Sequence, residues 1–473
     1  NGASAKNEGT ITLRDSSVGI YGRGAGTGVS NTNNITIGGN SVGLFLEDGK
    51  DITNSGEIKS SGEKTVGIYS SNINNLLVSN SGDITLTGDK NTGIYAVGAG
   101  TQTISNSGKI QVGDSSTGSE PSIGIYNNSS SNIINNTGEI ISGNDSIGIY
   151  NNGGQINQSS GKLGIGDSGV GIYTDSGSVN LSGGILDFTG TDTVGVYGIN
   201  GALIDNNIQL NIGEGNYGVV LNSGADLINR NSSIIGNHSV LVYSDEGRSI
   251  TNESGANLTM EGSDSTGFYM INGGDIINKA SITGNTGLSN IGIYNQSGNI
   301  TNSGDIKVGD SVIIDPLNPF LNRYAVGIYG EDTQSIKNTG NIEIGADAVG
   351  FYAKGSQTKA LNAGNITSNS DKAIGIYLEG SALRNTGNIT LSGDNSLGIV
   401  AERNSTVKNA GIITMNGNNS IGIYANANSN IVNENTGKIY INGNDSTGVQ
   451  LSGGSTLENY GLIQVASGTI GSV

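Results

Sequence analysis

Residues 136–150 read NTGEIISGNDSIGIY, and the phrase returns at 385–400 as NTGNITLSGDNSLGIV. Each copy holds two short runs of period two, separated by Gly, Asn, Asp and Ser, which is strand–turn–strand chemistry. The tripeptide that ends the phrase is the most regular signal in the chain. Gly19-Ile20-Tyr21 recurs at Gly67, Gly93, Gly124, Gly148 and Gly171 and continues to Gly422-Ile423-Tyr424. Looser versions such as Gly43-Leu44-Phe45, Leu241-Val242-Tyr243, Gly398-Ile399-Val400 and Gly448-Val449-Gln450 bring the count to 18 copies. They are spaced 23 to 26 residues apart in all but two intervals. A fixed period in this range marks a solenoid, in which each unit buries its apolar face only against its neighbours.

Composition alone points elsewhere. Gly makes up 80 of 473 residues, charged residues 13%, and Trp is absent, which is the profile of a poorly folding chain. Disorder is excluded because the apolar residues keep one phase in every repeat. The period runs nearly end to end, so residues 1–473 are expected to form a single β-helix. The first strand of a repeat follows G-x-I-x-apolar: Ile84 and Leu86 share one face, as do Ile306 with Val308, Ile342 with Ile344, and Ile439 with Ile441. In the second strand, the residue before the Gly (Val66, Ile123, Ile147, Val194, Val326, Val349, Ile374, Ile421) and the one after it are expected to point inward. Gly and Tyr are expected to point outward. Fourteen of the 18 tyrosines occupy that one column, among them Tyr69, Tyr95, Tyr150 and Tyr377. A third, shorter element ends in Asn, as at Asn54, Asn106, Asn338 and Asn385. By alternation this Asn faces in at a corner, where its amide can bond turn backbone and the Asn one coil above. Three strands in about 24 residues make one coil of an all-β, parallel β-helix of about 18 coils, right-handed by the crossover preference of parallel strands. Stacking at about 4.8 Å per coil predicts a rod on the order of 85 Å long.

The net charge of −18 argues against nucleic acid as a partner and disfavours anionic lipid surfaces. No stretch of about 18 apolar residues exists to cross a bilayer as a helix. Zero cysteines remove disulfides and thiolate metal sites. No charged n-region or apolar h-region opens the chain, which begins and ends within the repeat; the expectation is a segment of something longer.

Catalytic chemistry finds little material. His238, the one histidine, is expected as a solvent-facing turn residue. The turns Asn144-Asp145, Asp394-Asn395 and Asn444-Asp445 mix Asn with Asp, which turn propensity explains better than calcium. Asp187 with Asp192, or Asp83 with acids one coil away, are the carboxylates that a glycosidase reading would need. No metal, cofactor or catalytic residue is assigned. The two long intervals, 31 and 35 residues, extend the loop just before the tripeptide, near 114–121 and 311–324, and hold all three prolines, Pro121, Pro316 and Pro319. Both leave the coil at the same corner and are expected on one edge of the rod, the usual place for binding insertions. The second exposes Phe320, Arg323 and Tyr324, the candidate ligand-binding residues.

The unit N-[ST]-G…G-I-Y, as in Asn54-Ser55-Gly56…Gly67-Ile68-Tyr69 and Asn302-Ser303-Gly304…Gly327-Ile328-Tyr329, resembles the passenger domains of Gram-negative autotransporter adhesins, especially the large outer-membrane ones of fusobacteria. The resemblance implies a right-handed β-helix at the cell surface, carried by a membrane barrel that this chain lacks. It also implies attachment to a host-cell or bacterial surface protein or glycan. It transfers no binding residue. The expectation is a non-catalytic adhesive rod; the alternatives are a β-helical polysaccharide lyase or hydrolase, and a non-binding spacer stalk.

Overall fold

The computed structural model describes residues 2–73, 75–116, 120–284 and 287–466. It is an all-β parallel solenoid of three-stranded coils, in two compact units, Asn1–Asn231 and Ser232–Val473. Among the described residues the one helical element is the 3-10 turn Pro319–Leu321. A representative coil of the first unit has strands Asp83–Leu86, Thr92–Val97 and Gln102–Asn106. Each pairs in parallel with its equivalents in the coils before and after. Ile84 lies between Ile58 and Ile110, Tyr95 between Tyr69 and Tyr126, and Asn106 between Asn80 and Asn136. The second unit repeats the scheme, with Tyr352 between Tyr329 and Tyr377 and Asn385 between Asn362 and Asn409.

Stacking like on like fills the interior with aliphatic columns. Ile58, Ile84 and Ile110, with Ile68 and Ile94, have no exposed surface. Burying one such side chain contributes roughly 1.5–3 kcal/mol, so the columns are the main stabilising term.

The asparagine column is interior too. In the first unit Asn7, Asn31, Asn54, Asn80, Asn106, Asn136 and Gln158 form a chain, each Nδ2 donating to the next amide oxygen at 2.7–2.8 Å. In the second unit the chain runs from Asn252 through Asn278, Asn302, Asn338, Asn362, Asn385, Asn409 and Asn433 to Asn459, at 2.7–2.9 Å. The same Nδ2 also donates to the carbonyl two residues on, as from Asn54 to Gly56 at 3.1 Å and from Asn385 to Gly387 at 3.2 Å. Leu181 replaces the amide in one coil. The other corners use hydroxyls in many coils: the Ser396 and Ser420 amides donate to Ser420 Oγ and Ser446 Oγ, and Ser381 and Ser405 to Ser405 Oγ and Ser429 Oγ. Elsewhere an Asn takes the place, as where the Thr65 and Thr193 amides donate to Asn91 Oδ1 and Asn216 Oδ1.

The structure corrects the phase of the tripeptide. Gly67, expected outside, lies on the inner side, where a Cβ would stand 2.8 Å from Ile84 Cγ2 and 2.7 Å from the Gly93 carbonyl oxygen. Val66, expected inside, is half-exposed, as are Ile147, Val194, Val349, Ile374 and Ile421. The reason is local. Strand pairing skips the glycine, so alternation slips there and two successive residues, Gly67 and Ile68, face inward. Only a residue without Cβ lets adjacent coils approach this closely. Where Leu241 takes the glycine's place it is buried, and the first strand of the same coil compensates: Ser233 stands in the column occupied by Leu258, Ile282 and Ile306.

The turn carboxylates have a backbone role. Asp114 and Asn144 each accept the amide of the coil above through Oδ1, at 2.8 and 2.9 Å, and Asp371, Asp394 and Asn418 do the same. An amide oxygen serves as well as a carboxylate, hence the mixture of Asn and Asp. Asp145 and Asn395 adopt positive φ, which these side chains tolerate.

Replacing Asn385 by Ala removes the acceptor of Asn362 and the donor to Asn409 and Gly387. The expected loss in unfolding free energy is about 1–3 kcal/mol. Asn388→Ala, at an exposed neighbouring position, should stay within about 0.5 kcal/mol. Equal denaturation midpoints for the two variants would remove the ladder as a stabilising element.

Candidate functional site

In the second unit, residues 311–324 leave the corner before the Gly327 strand as a short hairpin. Its stem is an antiparallel bridge, with the Val312 amide donating to the Arg323 carbonyl at 2.8 Å and the reverse bond at 2.9 Å. Ser311 Oγ accepts the Ala325 amide and donates to the Asp347 carbonyl, both at 2.8 Å. Ser289 Oγ donates to the Arg323 carbonyl at 2.9 Å. Nearer the tip, Asn322 Oδ1 accepts the amides of Ile314 and Asp315, and Asp315 Oδ1 accepts that of Leu317 at 2.9 Å. Pro316 and the Pro319–Leu321 turn close the tip.

The consequence is a fixed stem under an apolar tip. Leu317 and Phe320 are each 95% exposed, and Ile314, Leu321 and Tyr324 are exposed beside them. Arg323 is engaged from two sides: its backbone pairs with Val312, and its guanidinium reaches the Asp264 carboxylate. Asp264 Oδ2 also lies 3.5 Å from His238 Nε2. His238 sits in a turn at positive φ with a mostly exposed ring. Of the three residues marked from sequence, Phe320 and Tyr324 thus line the free surface and Arg323 braces the hairpin. Leu317 belongs with Phe320; the apolar residue between the two prolines was the signal for it.

The strand position after the hairpin also departs from its column. Val326, which follows it, is buried, whereas its column neighbours Ile291 and Val349 are half-exposed. The insertion of the first unit behaves alike. Ile123 is buried after it, while Ile147 is not. There Ser115 Oγ accepts the Ser122 amide at 2.6 Å and Ser116 Oγ donates to Asp89 at 2.7 Å; residues 117–119 lie outside the described residues.

The tyrosine column is the other candidate surface. In the first unit Tyr69, Tyr95, Tyr126, Tyr150, Tyr173 and Tyr197 stack with centroids 4.6–5.5 Å apart and planes within 7–14°. Ring faces therefore meet neighbouring rings and only edges reach solvent, so the stack offers a sugar no free aromatic face. In the second unit Tyr243, Tyr269 and Tyr294 stack likewise, but Tyr294 to Tyr329, Tyr352 and Tyr377 are tilted by 46–90°. The tilt accompanies hydrogen bonds to glutamates: Tyr352 Oη donates to Glu379 and Tyr377 Oη to Glu402, each at 2.7 Å, and Tyr294 to Glu331 at 3.1 Å. Burial, then these carboxylates, holds the phenols of Tyr294, Tyr329, Tyr352 and Tyr377 far above the usual tyrosine range.

Among the described residues no three His, Asp or Glu side chains converge as a metal-binding group. Asp187 is paired with Lys162 at 2.5 Å, and Asp192 occupies a positive-φ turn position.

Residues 146–379 match the family model of the BigA third pectate lyase-like domain. The match extends over coils of both units and includes the hairpin. Comparison with curated proteins finds no match.

The half-buried phenols set an alkaline limit. A phenol whose folded pKa is raised keeps its proton in the native state, so the stability it confers is intact below the unfolded value of about 10 and falls as pH rises above it. Ultraviolet titration should show a group of tyrosines ionising only as circular dichroism reports unfolding. Smooth ionisation of all 18 tyrosines with the fold intact would contradict this.

Proposed function

We propose that the chain is an adhesive β-helix of a bacterial surface protein, of the autotransporter passenger kind, anchored at the outer membrane through a barrel outside this chain or secreted. In this reading it attaches to a protein or glycan on other bacteria or host cells through the 311–324 hairpin. One observation carries it: a rigidly tied hairpin holding Leu317 and Phe320 at 95% exposure. Large apolar side chains held out by a polar stem stabilise nothing in the chain that bears them, and anchors of this kind dominate protein–protein interfaces. The ties from Ser289, Ser311 and Asn322 reduce the ordering cost of binding. The likeness to a domain of BigA supports a surface or secreted location.

The same match gives a reason to consider polysaccharide cleavage, since its description includes pectate lyase-like. Against it stand the backbone-bonding role of the turn acids and the ion pairing of Asp187.

The double variant Leu317→Asp/Phe320→Asp should reduce binding to bacterial or epithelial cells at least about tenfold, the loss of two buried apolar anchors, with an unchanged denaturation midpoint. Binding equal to the parent protein would refute the hairpin as the contact and leave a spacer stalk. Release of unsaturated oligosaccharides from polygalacturonate would instead establish the enzymatic reading.

A further inference from the structure

The third strands of the second unit carry a row of cations on an acidic chain. In four successive coils the outward side chains are Ser335 and Lys337, Lys359 and Leu361, Ala382 and Arg384, and Thr406 and Lys408, in parallel register. Each coil thus presents one exposed cation, and coils follow one another at about 4.8 Å. None of these outward positions is acidic, although the chain holds 40 Asp and Glu against 22 Lys and Arg. Along this sheet the nearest strand acids are Asp275, two coils before Lys337, and Glu458, two coils after Lys408.

Packing does not ask for this row. Arg384 and Lys408 are register partners, and like charges set side by side destabilise a sheet. Other lysines of the unit face acids across coils, Lys307 with Glu343 at 2.7 Å and Lys354 with Glu331 at 2.6 Å. Among the described residues Lys337, Lys359 and Lys408 make no ion pair, while Arg384 reaches two coils forward to Glu434 at 3.0 Å. The floor is fixed: Ile336, Leu383 and Val407 are buried, and Asn338, Asn362, Asn385 and Asn409 belong to the amide ladder. A partner therefore meets cations whose spacing is already set.

We propose that this face binds a linear sulfated polysaccharide laid across the strands, along the direction in which the coils stack. A sugar in an extended chain advances by about one strand spacing, so a polymer charged at every sugar meets a cation at every coil. Lysine acts as a point charge and suits a sulfate, which can be approached from many sides. A ring-bound carboxylate is better met by the planar fork of Arg, and the row's one guanidinium already holds the Glu434 carboxylate. A nucleic acid single strand fits less well, because it is held by aromatic platforms and these outward positions contain none. The net charge of −18 repels a polyanion elsewhere, which confines it to this face. The site is apart from the 311–324 hairpin and does not depend on the hairpin being a contact.

Calorimetric titration of the whole chain with size-defined heparin and polygalacturonate, at several salt concentrations, tests this. Heparin should bind, with an affinity that falls steeply as salt rises, and polygalacturonate should bind at least about tenfold more weakly. The variant Lys337→Gln/Lys359→Gln/Lys408→Gln should lose at least about tenfold in heparin affinity and show a flatter salt dependence. The variant Lys109→Gln/Lys307→Gln/Lys438→Gln removes the same charge from first strands and should stay within about twofold of the parent. Both should keep the parent's thermal midpoint by circular dichroism. No heparin binding by the parent, or an equal loss in the two variants, overturns the site. Polygalacturonate bound as tightly as heparin overturns the sulfate, and tighter binding of oligothymidylate overturns the polysaccharide.

Discussion

Every coil has to turn three corners, and each corner buries backbone and side-chain polar groups away from water. A buried group without a partner costs about 1–3 kcal/mol, which repeated over many coils would exceed the stability of an ordinary domain. The structure meets this by placing identical polar residues one above another, so that each satisfies the next. Asn80 is at once acceptor for Asn54 and donor to Asn106 and to its own turn carbonyl at Gly82. The aliphatic columns supply more energy and also constrain register, because a one-residue slip would turn Ile84 and Leu86 outward and Asp83 and Thr85 inward. The corner ladders add to this, since an amide shifted by one residue loses all its partners.

Most of this was legible in the sequence because the repeat states it many times over. The period placed Ile84 and Leu86 inside, and Asn54, Asn106, Asn338 and Asn385 at a corner, where they are almost fully buried. The tripeptide's phase was not legible. Strict alternation puts Gly67 outside and Val66 inside, and nothing local announces that pairing skips the glycine. A side chain that is absent leaves no pattern of polarity to read. At the hairpin, the prolines and Phe320 were visible, but the engagement of Arg323 by Asp264 links residues 59 apart and depends on which turns share a corner. The division of the tyrosine column into stacked and tilted stretches accompanies glutamates two residues beyond a column position, after Tyr329, Tyr377 and Val400, and was equally hidden.

Departures from the repeat fall into two kinds. Some are compensated inside the coil: Leu241 fills the glycine column where Ser233 has vacated the facing one, a swap that conserves volume. Others add chain at the surface, and the residue at the end of each long insertion, Ile123 or Val326, is buried where the corrected phase leaves its counterparts in ordinary coils half-exposed. At the hairpin, Leu317 and Phe320 stay outside this packing.

The asparagine ladder also has a sense. In both units every Nδ2 points toward the coil of higher residue number and every Oδ1 toward the lower. One rotated amide would set two donors face to face on one side and two acceptors on the other, so the orientation is all or none within a run. A coil that has just formed therefore offers a donor to the segment that follows it, and the carboxamide oxygen of that segment is the group that fits. It likewise offers an acceptor to the segment before it, so the ladder can extend from either end but only with amides of one orientation.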